Sequence, residues 1–174
     1  MFVASGLLAL GFCDWALVAF HATRTHVLDG EGVALLYAVV MGVDGIAALV
    51  FGRLFDRIGL RALAIAAFAS AGLAPFVFLS PSAPLLVVGA VLWGIGMGAQ
   101  DSILKAAIAT AVPKAARARA YGVFFSVFGV AWWIGSTAMG WLYEVSLVGL
   151  VVLSVVAQLA SAVAFLVLAR RGMK

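Results

Sequence analysis

Six uninterrupted apolar runs constrain this chain more than any other feature. They cover roughly 3–22, 33–52, 62–80, 84–110, 121–142 and 146–168, each close to the ~20 residues that carry a helix across a bilayer core. No water reaches the backbone there, so each run must satisfy its own N–H and C=O groups, as a helix does. A barrel would need short alternating strands, and these runs are continuous. Turn chemistry fills the gaps: Asp29-Gly30-Glu31-Gly32 lies between the first two runs, and Ser80-Pro81-Ser82-Ala83-Pro84 between the third and fourth. Pro75 predicts a kink inside the third run. The expected fold is an all-α integral membrane domain over residues 1–174, with six transmembrane helices and no room for a water-soluble domain.

Composition excludes the main competitors. The chain is 66% hydrophobic and 10% charged, with a mean hydropathy of +1.22, whereas soluble domains run about half apolar and a quarter charged. A net charge of +4 would suit nucleic acid, but the basic residues fall in short segments beside the apolar runs, where membrane orientation explains them. Nucleic acid is therefore not an expected partner; membrane lipid is. Cys13 is the single cysteine, so no internal disulfide or multi-thiolate metal site is expected. Met1-Phe2-Val3 lacks the basic region and cleavage site of a signal peptide, so the first run should be retained as a helix. Arg53, Arg57, Arg61, Lys114, Arg117, Arg119, Arg170, Arg171 and Lys174 fall on one face, and Arg24 alone on the other. The crowded face should be cytoplasmic, with both termini inside a bacterial-type inner or plasma membrane.

The segment between the second and third runs reads Gly52-Arg53-Leu54-Phe55-Asp56-Arg57-Ile58-Gly59-Leu60-Arg61 and is expected to form a short loop at the membrane surface. A plain positive-inside anchor would need neither the two glycines nor the aspartate. The pattern Gly-x-Leu-x-Asp-Arg-x-Gly-x-Arg resembles the signature loop of the major facilitator superfamily of secondary transporters. The basic segment Pro113-Lys114-Ala115-Ala116-Arg117-Ala118-Arg119-Ala120-Tyr121-Gly122 opens the fifth helix, as such segments often do in that family. Over essentially its whole length the chain is similar to one six-helix half of such a transporter, more to the C-terminal half. The resemblance implies a 3+3 inverted repeat, with Asp56 facing the positive N-terminal end of a fifth helix in the opposite half. Arg57 and Arg61 would help hold the cytoplasmic gate shut, and Gly52 and Gly59 complete the gating loop. Two departures stand out. Full-length members have twelve helices, and the fifth-helix glycines Gly122, Gly129, Gly135 and Gly140 lack the proline of the antiporter motif.

A transport cavity of this family forms between two halves related by an axis along the membrane normal. A parallel two-fold homodimer would rebuild it, as would pairing with a separate N-terminal half. Ionisable residues at membrane depth are costly and usually face a cavity or a partner. Asp14 and Asp44 lie near the middles of the first and second helices, and Gln100, Asp101 and Lys105 lie on the fourth. Gly94, Gly98, Asp101 and Lys105 share a helix face, and the last two can pair at i, i+4. In the family's fold the first and fourth helices line the cavity, so the resemblance puts Asp14, Gln100 and Asp101 on or near the substrate path. Asp44 would flank the cavity or join the subunits. His21 shares a face with Asp14 and would either lead protons outward or sit at the interface. Trp132 and Trp133, midway along the fifth helix, would pack or stack on a solute; Trp141 and Tyr143 read as an interfacial belt.

No phosphate loop, intramembrane-protease motif or metal-ligand spacing is present, with His21 and His26 five residues apart, so neither enzyme activity nor a cofactor is expected. The reading is a half-size secondary transporter of a small solute, working by alternating access. It is expected to be proton-coupled, because a carboxyl that titrates only when one side opens can carry a proton across. A non-transporting membrane module that binds or scaffolds a partner is the other class, and it has no need of buried acids.

Overall fold

The computed structural model describes residues 1–80 and 82–171, and these form helices with no strand among them. Pro81, read as part of a turn, and Lys174, counted on the basic face, lie outside the described residues. Among the described residues, six spans are long and apolar enough to cross a membrane. Span one consists of α1 (Phe2–Gly11) and α2 (Trp15–Arg24), and span two of α3 (Gly30–Ile58). Span three consists of α4 (Arg61–Ser70) and α5 (Leu73–Phe78), and span four of α6 (Ala83–Ala111). A 3₁₀ turn (Lys114–Ala116) leads into α7 (Arg117–Val145) as span five, and α8 (Leu147–Arg170) is span six.

Local chemistry sets several ends. Asp29 starts α3 by accepting the Gly32 N–H at 2.7 Å, and Ser146 starts α8 by accepting that of Gly149 at 3.1 Å. Pro84 sits in the first turn of α6, where its missing N–H costs nothing. Span three breaks at Ala71–Gly72. That is the position four residues before Pro75, whose ring collides with the carbonyl of residue i−4, so the kink expected from Pro75 has its cause at Ala71.

Two expectations need correction. The signature stretch is mostly helical: α3 runs through Gly52–Ile58, and only Gly59 and Leu60 link it to α4. Helical hydrogen bonding has no reason to stop where the apolar run stops. It stops at Gly59, whose φ of 61° suits a residue without a side chain and whose N–H closes on the Phe55 carbonyl at 2.8 Å. The first run is likewise not one continuous helix, since it breaks at Phe12–Asp14.

Close packing depends on small residues. A Cβ on Gly94 would stand 2.8 Å from the Val40 carbonyl oxygen, and one on Gly98 would overlap the Asp44 carbonyl, so α3 and α6 cross backbone to backbone. α6 also packs against α4 and α5, α1 against α7 and α8, and α4 against α8. The core has two clusters. One includes Leu8, Leu63, Leu104 and Phe165 toward the basic end, and the other Phe12, Val77, Leu86 and Leu150 toward the opposite end. Burial is uneven: 61% of the apolar window of span three is buried inside the bundle, against 17% for spans two and five.

Candidate functional site at the break in span one

α1 ends at Gly11, after which Phe12 and Asp14 adopt extended backbone conformations. A break at membrane depth strips carbonyls of their helical partners, and each must be satisfied from inside the protein. Ser154 Oγ of α8 donates to the Gly11 carbonyl at 2.7 Å, and Trp93 Nε1 of α6 donates to the Cys13 carbonyl, also at 2.7 Å. Gly11 leaves room for this approach, because a Cβ there would stand 2.7 Å from Ala157 Cβ. Beyond the break, the Leu17 and Val18 N–H groups close on the Asp14 carbonyl and start α2.

The Asp14 side chain does not cap its own helix. It reaches α7, where one carboxylate oxygen accepts Trp132 Nε1 at 2.6 Å and the other accepts the Ser136 hydroxyl. Trp132 and Ser136 stand one turn apart and therefore share a face. Among the described residues Asp14 forms no salt bridge. Aromatic rings wall the site. Phe12 lies 5.5 Å from Trp132 and 5.9 Å from Trp93, and Trp15 lies 5.5 Å from Trp93 and 5.1 Å from Tyr37, centroid to centroid. Beside the carboxylate an open cavity of about 270 Å³ is lined by Asp14, Ala16, Leu17, Phe20, Ser136, Met139 and Gly140.

Further along α2 the same helix pair is joined twice more. His21 Nδ1 lies 2.9 Å from the Tyr143 hydroxyl, and Arg24 forms an ion pair with Glu144 while its guanidinium lies 5.5 Å from the Phe20 and Tyr143 rings. His21 is buried. Tyr143 thus ties α7 to α2 at this end, whereas Trp141 is exposed.

The other acids form a separate group. Asp44 lies at the α3–α6 crossing, within electrostatic reach of Asp101 and Lys105, and has one buried carboxylate oxygen without a hydrogen-bond partner. Lys105 Nζ and Asp101 Oδ1 stand 3.6 Å apart with both side chains about half exposed. Gln100 is 3% exposed, and its amide donates back to the Gly96 carbonyl at 3.2 Å. Of the gating-loop residues, Asp56, Arg57 and Arg61 are exposed, while Gly52 packs against Ser102.

The structure therefore joins Asp14 to Trp132 and groups Asp44 with Asp101 and Lys105. Sequence reasoning missed Ser136, Trp93 as the donor to the break, and Ser154. The i, i+4 spacing of Trp132 and Ser136 within an apolar run was the available signal for the first of these. No such signal existed for the other two, whose partners are backbone carbonyls.

Comparison with known proteins places this chain in a family. The model of the Major Facilitator Superfamily matches residues 3–173. An uncharacterized protein of Mycobacterium bovis and one from each of two Mycobacterium tuberculosis strains are 35% identical to the chain over 154 residues. The match covers 88% of this chain and 37% of each relative, so the chain spans little more than a third of their length. No solved structure matches it. With six membrane-length helical spans among the described residues and a family match over nearly every residue, the chain belongs to the Major Facilitator Superfamily.

Proposed function

We propose that the chain is one half of a secondary active transporter that moves a small solute by alternating access, works as a parallel homodimer, and couples transport to protons. The observation that carries this reading is Asp14. It is an acid at membrane depth, in a helix break, held by two side chains of another span beside an open cavity. A scaffold has no use for such a group, whereas transporters place substrate and ion sites at interrupted helices. The coupling proton is assigned to the acids Asp14, Asp44 and Asp101.

The helix pairings support the 3+3 repeat. Exchanging spans one, two and three for four, five and six carries the packing of α1 on α7 onto that of α6 on α3. The same exchange carries α1 on α8 onto α6 on α4 and α5. The least buried spans, two and five, support a second half. Gly42, Gly45, Gly122, Gly129 and Gly140 lie on them with nothing within 4 Å of where a Cβ would be, so these small residues answer to no neighbour inside this bundle.

A second reading pairs the chain with a different six-helix half instead of its own copy. The 37% coverage of the mycobacterial relatives favours it. Native mass spectrometry of the protein in lipid nanodiscs separates the two. A dimer supports the self-sufficient transporter, and a monomer points to the separate half. Solute flux in proteoliposomes that is unchanged when the proton gradient is collapsed would overturn proton coupling.

A further inference from the structure

Asp14 is the one acid at the break, and its surroundings restrict what can bind there. Both carboxylate oxygens act as acceptors, and the Trp132 indole N–H on one of them can only donate. Both donors are neutral, and among the described residues no basic side chain pairs with the acid. Neither donor supplies a counter-charge to this acid, at a depth where a charged group without one is costly. The cavity beside it is otherwise apolar, walled by Leu17, Phe20 and Met139. A calcium or magnesium ion would need about six oxygen ligands, whereas the polar side chains lining the cavity are Asp14 and Ser136, and among the described residues no three His, Cys, Asp or Glu side chains cluster to hold a metal. An anion would meet the carboxylate directly. An ammonium or phosphonium centre suits both features, because its charge neutralises Asp14 while its carbon substituents rest on the apolar wall and the Phe20 face.

We propose that this cavity binds an organic monocation with an apolar body, seated on Asp14. The inference rests on the transporter reading for its role in transport, but the site itself is testable by binding alone. Tetraphenylphosphonium and tetraphenylborate share shape and differ in charge sign. Both are titrated against the purified protein in nanodiscs, with empty nanodiscs subtracted. Saturable binding of the phosphonium with none of the borate is expected. Asp14→Asn should weaken phosphonium binding about tenfold or more, the loss of one charge–charge attraction in a poorly solvated site, and Asp14→Glu should retain it. Size-exclusion profiles establish that both variants fold, and if the Asn variant does not, the two probes and Asp14→Glu still decide. Equal binding of the two probes, no saturable phosphonium binding, or an unaltered Asp14→Asn variant would each overturn the site.

Flux measurements separate this failure from failure of the transporter reading. Phosphonium bound through Asp14 with no proton-driven flux in proteoliposomes, of phosphonium or of any other solute supplied, would overturn the transporter and leave the site. Proton-driven flux of an uncharged solute without phosphonium binding would overturn the site and leave the transporter.

Discussion

The two pieces of span one are held in different ways. α1 is bound to α8 through its main chain: Ser161, Gln158 and Ser154 donate to the carbonyls of Ala4, Leu8 and Gly11. The donors recur every three or four residues along one face of α8, so the ladder matches one helix to the other over two turns. α2 is bound to α7 through its own side chains, by Asp14 with Trp132 and Ser136, His21 with Tyr143, and Arg24 with Glu144. Main-chain acceptors are present whatever residues α1 carries, so that half is a fixed strut. Side-chain pairs depend on charge and on rotamer, so under the proposed reading the α2 half is the one that responds to a bound cation or proton. On that reading structure belongs to one half of the span and chemistry to the other.

Four variants test this contrast. Gly135→Val should do the most damage, because a Cβ there overlaps the Leu10 backbone, where neither partner can yield. A loss of about 3 kcal/mol, or failure to yield monodisperse protein by size exclusion, is expected. Removing the rungs away from the break, with Gln158→Leu and Ser161→Ala together, should cost about 1 kcal/mol at about 0.6 per intramembrane hydrogen bond. It should lower the thermal midpoint while leaving cation binding intact. If binding falls instead, the assignment of structure to α1 is wrong.

Trp132→Phe keeps an aromatic ring, though a smaller one, and removes one donor to Asp14. It should cost about 1 kcal/mol of stability, and it should alter phosphonium affinity, which the ladder variant does not. Arg24→Gln breaks an exposed ion pair, and exposed pairs contribute little. No resolvable change in the thermal midpoint is expected, and a large one would mean that this end of α2 is a structural clamp after all.

Much of the fold could be read from the residues in order. Span length is a local property, and each of the six apolar runs contains the core of an observed span. Polar continuations were underestimated, since α3 carries on through Asp56 and Arg57, where hydropathy falls but helical hydrogen bonding does not. Asp101 and Lys105 were legible as a pair because one helix turn fixes their separation. The partners of Asp14 were less so. Trp132 stood out as a tryptophan in mid-membrane, but nothing local joined it to an acid 118 residues earlier.

By itself the sequence determined the six helices, the asymmetry of basic charge across them, and the acids at membrane depth, because a bilayer selects on length and polarity along the chain. Tertiary structure alone decided that span one breaks at Phe12–Asp14 and that Asp14 faces Trp132 and Ser136. The freed carbonyls of Gly11 and Cys13 are satisfied by Ser154 of α8 and Trp93 of α6. A helix can stop in hydrocarbon only where other helices supply the missing hydrogen bonds, and those donors come from distant parts of the chain.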